Sequence, residues 1–474
     1  MNSLRTSSRS RRHFLRAVLQ SAALPLASSV SPAAVQPGTR VVVIGAGVSG
    51  LAAARELHAA GCRVTILEAR KRLGGRVCTD RKQFGGLPVE LGAQFIHGIR
   101  NGKGEVNPIY RIAQESGWKM KPFPEDSGET YRAGKPLSKA EDKALVDLLD
   151  EFETWLIDEF KDEHEDDISI PLERAIAANA KENELSSQEL LDLRGIIASD
   201  IEEDLGGDAR RLSVDGYDED EEFAKGEDQC LIEGYDQLPA LLAQGLDIRL
   251  GCIVSEIDYT KRQINIASSQ GDFEAEHVVV SVPLGVLKAK SLTFTPELPD
   301  AKIKAISRMG MGVLDKVILQ FPARFWPAGN WFLNLERTAP YGISFSSMEA
   351  AHLGSNILVF WHFGSHAIAH EAMPDAELIE LVMGHVRQTF RDIDVPAPTA
   401  TAITRWSEDP FSRGSYFYPQ IGSPISDIKV LGEAVSDRLF FAGEATSKAY
   451  FGTVHGAYLS GLREAKKVIA ASKD

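Results

Sequence analysis

Three glycines in one short turn have the spacing of a phosphate-binding motif. Gly45, Gly47 and Gly50 directly follow the β-branched run 40–44. In such a turn the first glycine permits a tight bend, the second lets the backbone approach a pyrophosphate, and the third lets helix and strand pack closely. The N-terminus of the following helix then favours an anion. Glu68 lies 18 residues after Gly50 and is placed to accept hydrogen bonds from a ribose, so these residues predict a dinucleotide site.

A second glycine motif lies just past Glu68. Arg70 precedes the run Leu73-Gly74-Gly75-Arg76, in which the glycine pair gives a backbone bend and the arginine a bidentate phosphate clamp. Standing alone, this run would favour a surface turn with a solvated arginine. Next to the first glycine turn, it favours a flavin over a nicotinamide as the bound group.

The elements that must position these motifs alternate between strand and helix. A strand over 40–44, a helix near 51–58 and a strand over 63–67 open a doubly wound parallel sheet. Capping boxes at Ser138 with Glu141 and at Ser186 with Glu189 predict two helices in the acidic middle of the chain. The later pattern predicts strands over 248–257, 276–282 and 438–442, a second sheet within 300–400 with a helix near 376–390, and a closing helix over 455–470.

The predicted fold class is therefore α/β, with a Rossmann-like FAD-binding domain interleaved with an α+β substrate domain. We expect the FAD-binding domain to comprise residues 38–105, 230–300 and 400–474, and the substrate domain to comprise 106–229 and 301–399. Residues 1–37 are expected to be a signal and linker.

Composition narrows the classes of protein that the chain can be. It has 474 residues, of which 43% are hydrophobic and 25% charged, so it is neither disordered nor fibrous. No apolar run reaches the ~20 residues that a membrane-spanning helix requires. The net charge of −15 argues against a nucleic-acid partner, and it either favours cationic ligands or only promotes solubility. The acidic runs 162–167 and 218–222 are either solvated faces or a funnel for cations.

The first residues predict an export signal, and the alternative is a basic disordered tail. Arg11 and Arg12 form a twin-arginine pattern, followed by an apolar stretch from about residue 17 to 30 and then small residues. We therefore expect a bacterial protein exported to the periplasm. Its four cysteines show no metal spacing, and no metal site is predicted; they are either small buried hydrophobes or include a disulfide pair.

Eight ordered blocks make the sequence similar to the flavin-containing amine oxidases, a family that includes polyamine oxidases, monoamine oxidases and the lysine-specific histone demethylase. The resemblance is greatest to the plant peroxisomal polyamine oxidases and to the demethylase's catalytic domain. The blocks are VVVIGAGVSGLAAARELHAAG, LEARKRLGGRVCT, ELGAQFIHG, LDIRLGCIVSEI, SVPLGVLK, MGMGVLDKVILQFPARFW, RWSEDPFSRGSYFY and FFAGEATSKAYFGTVHGAYLSGLREA.

The resemblance implies an FAD site along the whole chain. It assigns phosphate and ribose contacts to Gly45, Gly47, Gly50, Glu68, Arg70, Gly75 and Arg76. It assigns the flavin edge to Gly92, Ala93, Gln94 and Phe95, adenine recognition to the backbone of Val254, flavin packing to Trp406 and Tyr416, and the far end of the flavin to Gly443, Glu444, Thr453 and Val454. Ser415 stands where the mitochondrial monoamine oxidases have a flavin-linked cysteine, so the FAD is expected to be non-covalent.

The resemblance also assigns chemistry to Lys316 in the strand run 313–321. A lysine in a strand is usually an edge residue or one whose amine reaches solvent. The family instead keeps a lysine here that holds a water near the reactive flavin nitrogen, which implies a role in reoxidation by oxygen.

Four more residues are expected to bind substrate. His97 matches a histidine at the mouth of the active site in polyamine-oxidising relatives, or else is a structural histidine. Glu202 matches a carboxylate that meets a distal substrate nitrogen. Tyr416 and Thr453 would form a half-open cage that suits a long flexible amine; the alternatives are a core aromatic and a capping hydroxyl.

The function expected from the resemblance is oxidation of a small cationic amine of the spermidine and spermine class. Hydride transfer to FAD, followed by reaction with molecular oxygen, would give an aminoaldehyde, a shorter amine and hydrogen peroxide. A monoamine or L-amino-acid oxidase remains an alternative of the same fold. A protein that holds FAD without turnover is the alternative of a different class.

Overall fold

The computed structural model describes residues 38–124, 127–161, 169–214, 226–348 and 354–472, with the backbone alone for 159–161. The twin-arginine segment and the two acidic runs lie outside these residues. The described chain divides into two compact units. We call residues 38–77, 236–307 and 425–472 the parallel-sheet unit, and residues 78–235 and 308–424 the mixed-sheet unit.

The strands are β1 Arg40–Ile44, β2 Arg63–Glu68, β3 Thr79–Asp80, β4 Val89–Glu90, β5 Phe95–Ile96, β6 Met120–Pro122, β7 Gly128–Arg132, β8 Lys135–Pro136, β9 Gln229–Leu231, β10 Asp247–Leu250, β11 Val254–Asp258, β12 Ile264–Ser268, β13 Phe273–Ala275, β14 His277–Val280, β15 Thr293–Thr295, β16 Gly310–Met311, β17 Leu314–Gln320, β18 Trp331–Leu335, β19 Gly342–Ser347, β20 Ile357–Phe363, β21 Ala400–Ile403, β22 Phe417–Tyr418 and β23 Leu439–Phe441.

The α-helices are α1 Val48–Ala59, α2 Pro108–Glu115, α3 Lys139–Trp155, α4 Leu172–Glu182, α5 Ser187–Ile197, α6 Glu203–Leu205, α7 Gln237–Leu242, α8 Leu284–Lys288, α9 Asp300–Arg308, α10 Gly364–Glu371, α11 Asp375–Thr389, α12 Ser426–Gly432 and α13 Val454–Ala471. Two π-helical segments, Leu156–Lys161 and Ala198–Glu202, follow α3 and α5. Both predicted capping boxes are present, at the N-termini of α3 and α5.

The parallel-sheet unit contains the predicted doubly wound core. Its five strands lie in the order β10-β2-β1-β14-β23 and are all parallel. The β-branched runs of β1 and β14 are buried, as expected for strands covered on both faces. One strand prediction is wrong: residues 248–257 form two strands in different sheets, because the chain turns at Gly251 with φ +69°.

The mixed-sheet unit is built on a seven-stranded sheet with the order β21-β17-β20-β19-β18-β7-β8. Strand β17 lies between β20 and β21 and is antiparallel to both. Val317 and Leu319 pack with Val382 and Val386 of α11, whereas Ile318 packs on the opposite face with Trp361. Because side chains alternate along a strand, Asp315 and Lys316 lie on opposite faces of this sheet.

The units are bounded differently from the predicted domains. Residues 78–105 and 400–424 belong to the mixed-sheet unit. In that unit β5 pairs with β9, and β21 pairs with β17. The assignment of cofactor and substrate functions to the predicted domains remains a prediction.

The described residues also bear on the expectations for the cysteines, a membrane-spanning helix and a metal site. All four cysteines are free thiols, and Cys62, Cys230 and Cys252 are buried. Within the described ranges, no helix combines the length and apolarity needed to cross a bilayer. The same residues contain no cluster of histidine, cysteine and carboxylate groups arranged to hold a metal ion.

Candidate functional site

The first glycine turn of the parallel-sheet unit has one glycine for each predicted task. Gly45 has φ +103° and its N–H donates to Leu67 O at 2.8 Å. A Cβ on Gly50 would lie 2.1 Å from the carbonyl oxygen of Gly45, so no side chain fits there. A Cβ on Gly47 would meet no atom within 4 Å. The backbone is therefore tightly packed at Gly50 and open at Gly47, where a pyrophosphate is expected.

The N-terminus of α1 supplies the donors that an anion requires. Gly47 is its N-cap, and no side chain caps the helix. The first N–H groups of a helix have no partner within it, and their dipole favours negative charge. An open cradle and a set of backbone N–H donors at one helix end fit the pyrophosphate of FAD.

Glu68 ends β2 and is held rigidly by the adjacent backbone. It is 4% exposed, and its two oxygens accept from Ala46 N at 2.7 Å and Arg70 N at 2.8 Å. A carboxylate oxygen has two lone pairs, so each can still accept a further hydrogen bond. This arrangement fits the predicted ribose contact.

The second glycine motif docks on the first. Gly74 N donates to Ala46 O at 2.9 Å, and Gly74 and Gly75 have φ of +92° and +61°. Arg76 Nη1 donates to Glu444 Oε1 at 2.8 Å. The structure therefore gives Arg76 a carboxylate partner that the sequence had not indicated. Arg76, Gly443 and Glu444 also line a partly open pocket in this unit.

Lys316 of the mixed-sheet unit is a central and buried lysine, not an edge residue. It is 3% exposed, and Nζ donates to Gly92 O at 2.8 Å, Gln94 Oε1 at 3.0 Å and Glu90 O at 3.1 Å. Nζ also lies 4.5 Å from the ring centroid of Trp361. Burial lowers the pKa of Lys316 to about 7, and the charge of Glu90 acts in the opposite direction. An amine with this pKa changes its charge near neutral pH.

Trp406 is fixed beside the same segment. Its indole Nε1 donates to Leu91 O at 3.3 Å, and its backbone N–H donates to Asp315 Oδ1 at 3.1 Å. Ser415 Oγ accepts from Leu314 N at 2.8 Å, which ties the loop before Tyr416 to β17. The mixed-sheet unit thus brings together Lys316, Gly92, Gln94 and Trp406, which are spread over more than 300 positions of the sequence.

Two predicted substrate residues, Tyr416 and Glu202, are connected by Glu203, the first residue of α6. Tyr416 Oη donates to Glu203 O at 3.1 Å. Glu202 ends the π-helical segment after α5, and its Oε1 accepts from Ala209 N. Burial raises the pKa of Glu202 to about 7, with the charges of Asp208 and Glu173 acting in the same direction.

The ring of His97 contacts the carboxylate of Asp228, which favours neither interpretation of this histidine over the other. Its Nδ1 lies 2.8 Å from Asp228 Oδ2, and the side chain is 54% exposed. Asp228 Oδ1 also accepts from Gly98 N at 2.8 Å, so the carboxylate fixes both the ring and its backbone.

The remaining predicted cofactor residues occupy ordinary positions in their own units. Val254 begins β11 and pairs with Ser268. Phe95 packs on Phe123 with ring centroids 4.8 Å apart. Gly443 has φ +144°, Val454 is the first residue of α13, and Ala93 lies in the loop between β4 and β5.

Thr453 is the N-cap of α13. Its Oγ1 accepts from Gly456 N at 3.0 Å and donates to Tyr450 O at 2.9 Å. The alternative of a capping hydroxyl is therefore what the structure shows, and the cage role stays a prediction.

The cap predicts a stability difference between two variants at this position. Thr453→Ala should lower the free energy of unfolding by about 1 kcal/mol, because the N-terminus of α13 loses its side-chain acceptor. Thr453→Ser keeps that acceptor and should unfold close to the wild-type temperature. Thermal unfolding of both variants tests this, and equal melting temperatures for Ala and Ser would show that the cap contributes nothing.

Sequence reasoning missed the groups behind Lys316. Glu90 and Trp361 contact its amine, and Asp315 precedes it in the chain. None of these three residues was predicted to belong to the site. The available signal was Asp315 itself, since an aspartate and a lysine side by side in the apolar run LDKVILQ must each find a buried partner.

Comparisons with known proteins place this geometry in a family. Residues 48–469 match the family described as flavin containing amine oxidoreductase. The chain is 33% identical over 455 residues to polyamine oxidase 4 of Oryza sativa subsp. japonica, covering 90% of this chain and 87% of that protein. It is 32% identical over 452 residues to lysine-specific histone demethylase 1B of Mus musculus, covering 91% of this chain and 53% of that protein. The chain thus spans about half the length of this demethylase.

A solved structure shares the fold. A putrescine oxidase double mutant with redesigned cofactor binding superimposes with a TM-score of 0.72 at 19% identity. The match covers 92% of this chain and 100% of that chain. It supports the predicted fold class, a Rossmann-like unit with a mixed-sheet unit.

Proposed function

This chain belongs to the flavin-containing amine oxidoreductases, and on that premise we propose that it oxidises polyamines of the spermidine and spermine class with molecular oxygen as electron acceptor. Its cofactor is FAD, as the family implies. The products would be an aminoaldehyde, a shorter amine and hydrogen peroxide. We propose that all the cofactor and substrate residues named from the sequence take the roles given there, with FAD bound non-covalently.

The observation that carries the proposal is Lys316. Burying a lysine in a strand costs the free energy of hydrating its ammonium group. A buried lysine with a lowered pKa is therefore a candidate for a functional role. Its Nζ donates to three uncharged oxygen atoms, those of Glu90, Gly92 and Gln94. With a pKa lowered to about 7 by burial, the amine is neutral in mildly alkaline solution. A neutral amine has two N–H donors and one lone pair, so on losing its proton Nζ keeps two of these three oxygens and can hold a water by its lone pair.

The polyamine substrate is supported by charge. A polyamine carries several ammonium groups, and carboxylates are their natural partners. Glu202 and the His97–Asp228 pair supply such groups in the mixed-sheet unit. The net charge of −15 would also concentrate cations at the surface of the protein. Polyamine oxidase 4 and putrescine oxidase are named for substrates of this class.

Each residue of the candidate site has its own role in the proposed reaction. FAD supplies hydride acceptance from the carbon beside an uncharged amine nitrogen and transfer of electrons to oxygen. Gly47 and the N-terminus of α1 hold the pyrophosphate, and Glu68 orients the ribose. Glu202 holds a remote ammonium group, Tyr416 positions the substrate chain, and Lys316 holds a water. No strong base is required, because the reacting nitrogen binds already deprotonated.

This division predicts a rate that rises with pH. The value of kcat/KM for spermidine should increase from about pH 6 to about pH 9 as the reacting nitrogen loses its proton. Glu202, with its pKa raised to about 7 by burial, becomes a carboxylate over the same range and adds to the rise. Glu202→Gln should keep the rise but make it shallower below about pH 8. A flat profile in the wild-type protein would contradict the proposal.

The substrate class is tested by measuring hydrogen peroxide release from a panel of amines. Spermidine and spermine should give the highest kcat/KM. Tyramine as the best substrate would indicate a monoamine oxidase, and an amino acid would indicate an amino-acid oxidase. A methylated lysine peptide as the best substrate would place the chain with the demethylase relatives. No peroxide from any of them would favour a protein that holds FAD without turnover.

We also propose that residues 10–15 direct export to the periplasm through the twin-arginine route. Fractionation of cells that express the full chain tests this. The protein should appear in the periplasm, and replacing both Arg11 and Arg12 by lysine should retain it inside the cell. Equal distribution of the two forms would overturn the export proposal without affecting the enzymatic one.

A further inference from the structure

A buried cluster of polar groups lies on the face of β17 opposite Lys316. Its members come from β17, from the end of α10 and from the segment after β21, and they are Asp315, Glu371, Thr404, Trp406 and Ser407. We propose that Asp315 and Glu371 share one proton, and that this acid pair is a positioning device that fixes Trp406 and the backbone of Lys316.

One carboxyl oxygen of Asp315 is linked to both Lys316 and Trp406. Asp315 Oδ1 accepts from Thr404 Oγ1 at 2.7 Å and from Trp406 N at 3.1 Å. The same Thr404 hydroxyl accepts from Lys316 N at 2.8 Å, and Thr404 N donates to Lys316 O at 3.0 Å. A shift of Asp315 would therefore move the backbone at Lys316 and at Trp406 together.

The other oxygen of Asp315 needs a proton. Asp315 is 0% exposed, and its Oδ2 is buried without a donor among the described residues. Glu371, whose hydrogen bond and charge act on Asp315, is itself 3% exposed. Glu371 Oε1 accepts from Ser407 N at 2.8 Å, and Oε2 accepts from Ser407 Oγ. Of these four carboxyl oxygens, Oδ2 of Asp315 is the one without a donor among the described residues, so the shared proton belongs there.

Two ionised carboxylates side by side in a buried site repel strongly, and one of them takes up a proton. Burial first, and then the hydrogen bond and charge of Glu371, raise the pKa of Asp315 to about 8. Only the two neutral donors, Thr404 and Trp406, act in the opposite direction.

The surrounding ionisable groups do not supply a compensating charge. His362 is paired with Asp315 across β20, and burial lowers the pKa of His362 to about 3, so it is neutral. Nδ1 of His370 lies 3.1 Å from Nδ1 of His362, and burial lowers the pKa of His370 to about 4. Arg405 directs its guanidinium to Asp375 Oδ1 at 2.7 Å and to backbone oxygens of residues 371 and 373. Lys316 points to the opposite face of the sheet, and its pKa is lowered to about 7 by burial.

The proton is tested without any turnover by infrared spectroscopy of the FAD-loaded protein. Asp315→Asn keeps an oxygen toward Thr404 and a donor toward Glu371, so it copies the protonated acid. The wild-type protein should show the carbonyl band of a protonated carboxylic acid near pH 6 that fades toward pH 9, and Asp315→Asn should lack that component. Glu202 titrates over the same range and stays in both spectra. Asp375→Asn, an exposed control whose carboxylate contacts Arg405 outside this cluster, should match the wild type.

The pH dependence of stability gives a second readout. At Asp315 the folded state holds a proton that the unfolded state has lost between the ordinary aspartate pKa and about 8. The contribution of Asp315 to stability must therefore fall as pH rises through that window. The melting temperature of the wild type should fall more steeply between about pH 5 and 7 than that of Asp315→Asn, with Asp375→Asn again like the wild type.

The positioning role rests on the proposed function and is tested by kinetics. Asp315→Ala should lower kcat for the best amine by about tenfold, with KM within about threefold, because Lys316 and Trp406 lose their common anchor. Asp315→Asn should recover most of that loss. Equal losses in Ala and Asn, or an unchanged Ala variant, would overturn the positioning role. An unchanged infrared band in Asp315→Asn would overturn the shared proton, and this result stands even if no amine is oxidised.

Discussion

Lys316→Met should leave FAD bound and slow the reaction with oxygen by about 100-fold, the effect expected for loss of a positioned proton-handling group. Methionine has a similar length and is apolar, so it fills the buried space without a charge to solvate. What disappears is the Nζ atom that donates to Gly92, Gln94 and Glu90 and that we assign to the bound water. Stopped-flow mixing of the amine-treated protein with oxygen measures this step directly.

Lys302 provides a matched control in the parallel-sheet unit. It is also 3% exposed, and its Nζ donates to the carbonyl oxygens of Val430 at 2.7 Å, Leu431 at 2.7 Å and Glu433 at 2.9 Å. Burial lowers its pKa to about 7, the same value as for Lys316. These carbonyls lie at the C-terminus of α12, so its role is to cap that helix.

Lys302→Met should therefore lower the melting temperature and leave the oxygen reaction within about twofold of wild type, since its loss is a packing and capping defect. If both methionine variants slow the oxygen reaction equally, the effect at Lys316 comes from general destabilisation. If neither slows it, Lys316 has no part in the reaction.

Gly47→Ala should keep the fold and lose FAD, with a dissociation constant raised by about 100-fold, because the added methyl group occupies the space assigned to the pyrophosphate. Gly47 has φ −72° and ψ 173°, which alanine adopts freely. Its Cβ would meet no protein atom within 4 Å. The substitution therefore tests the cradle without disturbing the protein. Fluorescence titration of the FAD-free protein, together with its melting temperature, provides the measurement.

Gly384 and Gly50 provide the control substitutions for this prediction. Gly384 lies inside α11, where a Cβ would also meet no atom within 4 Å, so Gly384→Ala should bind FAD normally. Gly50→Ala would place Cβ 2.1 Å from Gly45 O and should damage the fold itself. If Gly47→Ala binds FAD as tightly as the wild type, the pyrophosphate lies elsewhere.

The features that were predictable from the sequence are those fixed over short distances. The turn from Gly45 to Gly50 depends on the next helix and strand, and both capping boxes depend on residues three positions apart. The bounds of β1 follow from a β-branched run without turn residues, whereas β14, at His277–Val280, is shorter than the predicted 276–282. Local pattern failed at 248–257, because a run of apolar residues hides the break at Gly251.

The candidate site was predictable as a set of residues and not as a set of contacts. Lys316 could be named from the resemblance, but its acceptors lie more than 220 positions earlier in the chain. Arg76 and Glu444 are 368 positions apart, and only folding shows that they pair. The proton that we assign to Asp315 requires knowing that α10 brings Glu371 beside it.

The most direct test of the central claim is anaerobic mixing of the FAD-loaded protein with amines while its visible absorbance is followed. Spermidine or spermine should bleach the yellow colour of the oxidised flavin in a single turnover, and admitting air should restore it. A correctly folded, yellow preparation that no amine in the panel bleaches would contradict the account.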